Sequence, residues 1–162
     1  MKQIQPIRVF EAFAGYGGAS FGLKRCGYPY KVIGLSEIDP SASRILDVNF
    51  PDIKNYGNIV TVRERLEKNK NYIPDFDLFT GGFPCQPFSI VGRQKGFDDP
   101  RGNLFFEIGR IIDKKRPSIV FLENVANLID HDNGKTFITI FNALSELNYV
   151  LRYRNMPSNE YG

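Results

Sequence analysis

Short apolar runs alternate with helical patterns along the whole of this sequence. The runs predict strands over residues 7–13, 31–36, 76–80, 118–122 and 149–154. The patterns between them predict helices over residues 19–26, 40–49, 62–69, 103–115 and 136–147. A strand–helix order repeated in this way is typical of an α/β protein with a mostly parallel sheet and helices on both faces. Ligands of such folds bind beyond the carboxyl ends of the strands.

The composition excludes several classes of protein. Hydrophobic residues make up 42% of the 162-residue chain, which suits one folded domain with one core. No apolar run approaches the roughly 20 residues that span a bilayer, and no signal-peptide stretch is present, so we expect a cytoplasmic protein. Two cysteines and one histidine exclude a disulfide framework and argue against a zinc site, so no metal is expected. The net charge of +3 is small for a chain that grips phosphates by itself.

A glycine-rich turn, Phe-Ala-Gly-Tyr-Gly-Gly over residues 13–18, follows the first predicted strand. Glycines let a backbone pass close to a ligand and adopt positive φ. Glu37 ends the second strand, 20 residues after Gly17, where nucleotide-binding α/β folds place an acid that accepts hydrogen bonds from a ribose. The glycines are closer together than in the dinucleotide pattern, so a nucleoside-containing cofactor fits better. The alternative is a tight turn beside a surface carboxylate.

Cys85 lies just beyond the third predicted strand, between two prolines. A cysteine thiolate is a nucleophile, and a thiol at this position can be reached by a substrate. The alternative is a small buried hydrophobic residue, which is the more common fate of a free cysteine and the interpretation we favour for Cys26.

The loop that carries this cysteine extends over residues 83–102 and is rich in glycine, proline and polar residues. Loops of this length in compact domains are usually functional or disordered. Its cationic side chains, Arg93, Lys95 and Arg101, are suited to closing over a phosphate backbone. The alternative is an ordinary solvated loop.

Glu123 ends the fourth predicted strand, which is apolar and expected to be buried. Apolar surroundings raise the pKa of a carboxyl group, so that it can be protonated near neutrality, bind a ring nitrogen and donate a proton. The alternative is a strand-end carboxylate that caps the next segment.

Taken together, these segments resemble the DNA cytosine-5 methyltransferases. The matching blocks are residues 13–18, 37–39, 82–86, 94–106 and 123–125. The resemblance covers nearly the whole chain, and several motifs in the family's order make it specific. It implies a Rossmann-like S-adenosylmethionine-dependent methyltransferase fold in truncated form. Residues 1–162 would form the cofactor-binding and nucleophile-bearing part of the catalytic domain, without the target-recognition domain.

The resemblance implies a role for each matching residue. The implied ligands of S-adenosyl-L-methionine are Phe13, Ala14, Gly15, Tyr16, Gly17, Gly18, Glu37, Ile38, Asn58, Ile59, Pro84 and Leu104. The implied contacts to double-stranded DNA are Gln86, Ser89, Arg93 and Arg101. Cys85 would attack carbon 6 of a cytosine flipped out of the duplex, and Glu123 would bind and protonate ring nitrogen 3. Methylation of carbon 5 would serve DNA methylation of the restriction–modification type.

This sequence departs from the family pattern at three places. Asn58 stands where aspartate is common, so the adenine contact keeps an acceptor but loses the charge. Glu11 also replaces a common aspartate, and we expect little effect. The chain stops before the family's two-arginine segment, its target-recognition domain and a late segment that completes the cofactor pocket. We therefore expect the missing half to lie on a complementary chain or in a C-terminal part that the given sequence leaves out, and this chain alone to be inactive or nearly so. Exposed apolar surface would favour self-association.

Two other functions remain open at this point. The chain could be a catalytically inactive remnant or interaction module that retains the fold, although intact Cys85 and Glu123 argue against decay. It could also be a different nucleoside-dependent α/β enzyme, such as a small-molecule methyltransferase, which has no clear use for the loop around Cys85.

Overall fold

The computed structural model describes residues 4–84, 104–157 and 160. Its strands are β1 (Ile7–Ala12), β2 (Tyr30–Ser36), β3 (Leu78–Gly82) and β4 (Ile119–Glu123). Its α-helices are α1 (Gly18–Cys26), α2 (Pro40–Asn49), α3 (Ile59–Lys68), α4 (Leu104–Lys115) and α5 (Lys135–Glu146). A short 3-10 helix, Ala126–Leu128, lies between β4 and α5. None of the helices within the described ranges is long and apolar enough to cross a membrane.

The four strands form one parallel sheet in the order β2-β1-β3-β4. Ala12 pairs with Ser36 on one side and with Gly81 on the other, and Gly82 pairs with Glu123. The carboxyl ends of all four strands therefore meet at one edge of the sheet. The glycine turn follows β1, the cysteine loop follows β3 in the sequence, and Glu123 is the last residue of β4. The three predicted features therefore start from this edge.

Two hydrophobic clusters cover the sheet. The larger one joins β1 and β3 to α3, α4 and α5, with Phe10 and Phe79 fully buried at its centre. The smaller one joins β2 to α2 through Val32, Leu35 and Leu46. Side chains alternate between the two faces of a strand, so β2 contributes to both clusters: Ile33 packs against the larger one, and Val32 belongs to the smaller one. The prediction of helices on both faces is confirmed.

Local capping chemistry explains most of the helix boundaries. Asp39 accepts hydrogen bonds from the amides of Ser41 and Ala42 at the start of α2, and Pro40 takes the first helical position, as predicted. Gly27 ends α1 in the left-handed conformation at φ 69°. Helix α3 begins three residues earlier than predicted, because the Asn58 side chain caps it by accepting from the amide of Val60.

Three predictions were wrong. Residues 149–154 form no strand, because no described strand pairs with their backbone. Strand β4 is not buried: it is the edge strand, and Ile119 and Phe121 are 48% and 59% exposed. Cys26 is exposed rather than buried, because it lies in the last turn of α1, a helix whose one buried residue is Ser20.

Candidate cofactor and catalytic site

The glycine turn connects β1 to α1 through backbone conformations that side chains rarely adopt. Phe13, Gly15 and Gly17 all have positive φ, at 51°, 54° and 89°. The amide of Gly17 closes the turn by donating to the carbonyl of Ala14 at 2.8 Å. A positive φ at phenylalanine costs on the order of 1–3 kcal/mol, and such strain is concentrated at functional sites.

Gly17 is required by packing as well as by its φ angle. A Cβ atom at this position would lie 2.5 Å from Cε2 of Phe50, the residue that ends α2. Phe50 also packs against Phe21 of α1, with ring centroids 5.9 Å apart. By contrast, a Cβ at Gly15 or Gly18 would meet no atom of the described residues within 4 Å, so the described part of the chain leaves the turn open above them.

Glu37 joins the ends of β1 and β2. Its Oε2 accepts from the amide of Gly15 at 2.8 Å, and its Oε1 accepts from the amides of Ile38 and Asp39 at 2.8 Å each. The carboxylate is therefore fastened to the glycine turn, which distinguishes it from an unattached surface group. A carboxylate oxygen has two acceptor positions, so Oε2 keeps one for a ligand.

Apolar side chains beside this carboxylate are open to solvent. Ile38 and Tyr16 are 71% and 64% exposed, and the carbonyl of Tyr16 accepts from Asn49 at 3.4 Å. Asn58 and Ile59 begin α3 nearby in sequence, after Gly57, whose carbonyl accepts from the Ser36 hydroxyl at 2.6 Å. Apart from Pro84, which follows β3, and Leu104, which begins α4, the predicted cofactor residues therefore belong to the segments that follow β1 and β2.

Glu123 lies beside the end of β3. A Cβ atom at its partner Gly82 would lie 2.8 Å from Oε2 of Glu123, so the carboxylate lies over a position that only glycine leaves free. Glu123 itself is exposed. The apolar surroundings predicted for it are absent among the described residues, because β4 is the edge strand.

Asn124 fastens the end of β4 to the start of the cysteine loop. Its Nδ2 donates to the carbonyl of Phe83 at 2.6 Å, and its Oδ1 accepts from the amide of Val125 at 2.9 Å. The Phe83 ring is buried against Phe105, with centroids 5.7 Å apart. Glu123 therefore does not cap the following segment: among the described residues no side chain caps the 3-10 helix, and Asn124 binds the amide of Val125 just before it. The Glu-Asn-Val motif pointed to position 124, but sequence reasoning assigned this asparagine no task.

Several predicted site residues fall outside the described ranges. They are Cys85, Gln86, Ser89, Arg93 and Arg101. Pro84, which precedes them, is exposed, and Leu104, which follows the gap, is the first residue of α4 and is partly buried against the larger cluster.

A parallel sheet with a glycine turn after its first strand and an acid after its second defines a Rossmann-like α/β protein of the nucleotide-cofactor-binding class. The chain belongs to the C-5 cytosine-specific DNA methylase family, whose model matches residues 7–162. The resemblance read from the motifs is confirmed.

Curated relatives support the same family. The chain is 41% identical over 161 residues to the Type II methyltransferase M.HhaI of Haemophilus parahaemolyticus. The match covers 99% of this chain and 46% of that protein. It is 43% identical over 155 residues to the Type II methyltransferase M1.ScrFI of Lactococcus lactis subsp. cremoris, covering 96% and 38% respectively. The chain therefore spans less than half the length of these relatives.

Solved structures confirm the fold. A mutant of Spodoptera frugiperda DNMT2 superposes with a TM-score of 0.65 at 24% identity, covering 89% of this chain and 42% of that one. A putative DNA modification methyltransferase from an Escherichia coli prophage gives 0.63 at 27% identity, covering 86% and 38%. The predicted Rossmann-like methyltransferase fold, in truncated form, is confirmed.

Proposed function

We propose that this chain is the cofactor-binding and nucleophile-bearing part of a DNA cytosine-5 methyltransferase. The observation that carries the proposal is that two carboxylates of this family member, Glu37 and Glu123, lie at the same edge of the sheet. Glu37 is fastened to the glycine turn on one side of that edge, and Glu123 lies against Gly82, three residues before Cys85, on the other. A donor site and a nucleophile would then be held by neighbouring strands.

S-adenosyl-L-methionine fits the residues at the first of these positions. The open space above Gly15 and Gly18 admits a ligand close to the backbone, and Oε2 of Glu37 keeps an acceptor position for a ribose hydroxyl. The exposed Ile38 offers an apolar surface for an adenine ring. We assign the adenine edge to Asn58 and Ile59 and the methionine side to Pro84 and Leu104. When bound, the cofactor supplies a methyl group on a positively charged sulfur.

The chain's own residues would carry the remaining chemistry. The Cys85 thiolate forms a bond to carbon 6 of an extruded cytosine as the 5,6 double bond opens. Glu123 holds ring nitrogen 3 and protonates it, which stabilises the negative charge that develops on the ring. Carbon 5 would take the methyl group and leave the demethylated cofactor behind. It would then lose its proton to solvent as the 5,6 double bond re-forms and the Cys85 thiolate leaves, and Glu123 would take back the proton on nitrogen 3. Gln86, Ser89, Arg93 and Arg101 would contact the DNA.

A complementary part of the protein would complete the enzyme. The relatives are more than twice as long as the region they share with this chain. We propose that residues 1–162 are one part of a catalytic domain, and that a C-terminal half or a complementary subunit supplies target recognition. The exposed apolar side chains of β4, Ile119 and Phe121, would be covered by that half or, in its absence, by self-association. We further propose that the assembled enzyme works in the cytoplasm.

Reconstitution tests this function. Residues 1–162 are joined to the remaining part of M.HhaI, and transfer of labelled methyl groups to duplex DNA is measured. We expect transfer by the joined protein, none by residues 1–162 alone, and none after Cys85→Ser. The matched control is Cys26→Ser, which removes the exposed second thiol and leaves transfer unchanged. Full transfer by the Cys85→Ser protein would contradict the mechanism, and a folded but inactive joined protein would favour an interaction module.

A further inference from the structure

A buried carboxylate lies beneath the glycine turn and is used by no step of the proposed reaction. Glu11 is 3% exposed and is the last-but-one residue of β1. Its Oε1 accepts from the amide of Ala19 at 3.0 Å. Its Oε2 accepts from the amide of Ser20 at 3.2 Å and from the Ser20 hydroxyl at 2.5 Å. Three hydrogen bonds therefore run from the first turn of α1 to a strand side chain.

These bonds satisfy part of the helix start. The first amides of a helix have no partner within the helix and are normally capped by the residue before it. In α1 that residue is Gly17, which has no side chain for the task. Glu11 takes its place from the strand, while the amide of Phe21 donates to the carbonyl of Gly17 at 3.0 Å.

The distribution of these bonds leaves two turn amides available. The amide of Gly15 donates to Glu37, and that of Gly17 donates to Ala14. No acceptor is recorded for the amides of Tyr16 and Gly18 within the described part of the chain. Since Glu11 accepts from the amides of Ala19 and Ser20, a ligand at the turn would meet the amides of Tyr16 and Gly18.

We propose that Glu11 is a positioning residue for the methyl-donor cofactor: it anchors α1 to β1 and so fixes the path of the glycine turn. The inference deepens the proposed cofactor site and rests on it. The turn contains three residues at positive φ, Phe13, Gly15 and Gly17, and the described residues leave space above Gly15 and Gly18. Contacts within the turn would therefore not by themselves prevent it from relaxing. An anchor on each side, Glu37 at Gly15 and Glu11 at Ala19 and Ser20, holds it in the strained path.

The length of the Glu11 side chain is matched to this task. Aspartate is shorter by one methylene, so its carboxylate would withdraw by about 1.5 Å. The bonds to Ala19 and Ser20 would then exceed the 3.5 Å limit of a hydrogen bond unless α1 moved. We therefore expect Glu11→Asp to have a clear effect, contrary to the small effect expected when the residue was considered in the sequence alone.

The test compares Glu11→Gln and Glu11→Asp with Glu107→Gln in the 162-residue chain. Glu107 is an equally buried carboxylate, 2% exposed, which pairs with Arg63 and Arg110 on α3 and α4. Amide hydrogen exchange of Gly15 and Gly17, the two turn amides that donate to Glu37 and Ala14, is measured by NMR without ligand. Binding of S-adenosylhomocysteine, the demethylated cofactor, is measured by calorimetry well below the melting temperature of each variant.

Both Glu11 variants should speed exchange of the turn amides by at least about tenfold and weaken binding by about tenfold. Glu107→Gln should lower the melting temperature while leaving turn exchange and binding within about twofold of the wild type. Ser20→Ala should have a smaller effect than Glu11→Gln, because both amide bonds remain.

Turn exchange in Glu11→Gln equal to that in the wild type would overturn the inference. Binding equal to the wild type despite faster exchange would also overturn it, since Glu11 would then be only a helix cap. A wild-type chain that binds no S-adenosylhomocysteine, with the exchange effect present, would instead contradict the proposed cofactor site while supporting the hold of Glu11 on the turn.

Discussion

The two sides of the sheet differ in how completely the rest of the chain covers them. Strand β1 pairs with a strand on each side, and its Val9, Phe10 and Ala12 are fully buried. Strand β4 pairs on one side, and its Phe121 is 59% exposed. The glycine turn follows the covered strand, whereas Glu123 ends the uncovered one.

This difference separates the two tasks of the proposed site. The turn is held by residues of this chain, Glu37 and Phe50 among them. Glu123 lies over Gly82 and is followed by Asn124, which donates to the Phe83 carbonyl, but within the described part of the chain Glu123 is exposed. The geometry of the proposed cofactor site is therefore set by residues of this chain, whereas the surroundings of the proposed catalytic carboxylate depend on what covers β4.

The largest expected contrast is between Phe10→Ala and Phe121→Ala. Phe10 is fully buried and stacks on Phe76 and Phe79, so its loss should lower the free energy of unfolding by about 3–5 kcal/mol. The half-exposed Phe121 should cost less than about 1 kcal/mol. Denaturant unfolding of the two variants measures both. Equal losses would mean that β4 is covered in solution, for example by a second copy.

The next contrast lies within the glycine turn. Gly17→Ala forces an alanine to φ 89° and against the Phe50 ring, and should lower the free energy of unfolding by about 2–4 kcal/mol. Gly18→Ala is its matched control, because that residue begins α1 and a Cβ there meets no atom within 4 Å. The control should be neutral or stabilise by up to about 1 kcal/mol. Similar thermal stability of both variants would refute the packing argument.

A second pair of glycines tests the uncovered side. At Gly81 a Cβ would lie 2.9 Å from the Ala12 carbonyl, so Gly81→Ala should cost about 1–3 kcal/mol in unfolding free energy. At Gly82 the Cβ would meet only the movable end of Glu123, so Gly82→Ala should change stability by less than about 1 kcal/mol. It should nevertheless reduce methyl transfer by the joined protein, because the carboxylate must move. Unchanged transfer would show that the position of Glu123 is not critical.

The smallest expected effect is a pH dependence on the covered side. Burial raises the pKa of Glu11, and its hydrogen bonds with Ser20 and Ala19 only partly oppose this. The folded chain therefore keeps this proton at pH values where the unfolded chain has lost it. Its free energy of unfolding should fall as the pH rises from the ordinary glutamate value of 4.5 through the raised pKa. Glu11→Gln should remove this dependence of the unfolding free energy on pH. Urea unfolding at several pH values measures it, and a dependence that persists in the variant would contradict the assignment to Glu11.

For Asp77, an exposed carboxylate at the other end of the sheet, the free energy of unfolding should change with pH in the opposite direction. A hydrogen bond from the Arg8 side chain lowers the pKa of Asp77, so its contribution is present above the ordinary value of 3.8 and is lost as the pH falls through the lowered pKa. Asp77→Asn should therefore flatten the acid limb of the same unfolding series. The effect should be well below about 1 kcal/mol, because the Asp77 side chain is 38% exposed and solvent screens the pair.

Much of this protein was determined by local sequence. Asp39 and Pro40 start α2, Gly27 ends α1, and the apolar spacing of α4 and α5 marks the faces they bury, since caps and helical periodicity act within a few residues. The motifs resembled those of the cytosine-5 methyltransferases, and their position at strand ends predicted that they share one edge of the sheet, because the carboxyl ends of parallel strands lie together.

Only the tertiary structure decided how these pieces are held. Whether β4 is buried depends on which strand lies beside it, and the solvated side of Glu123 follows from that. The attachment of Glu11 to Ala19 and Ser20, and of Asn124 to Phe83, joins residues whose spacing carries no periodic signal. Hydrogen bonds between side chains and distant backbone depend on the three-dimensional path of the chain, so the sequence indicated the expected ligand-binding residues of the site but not the residues that position them.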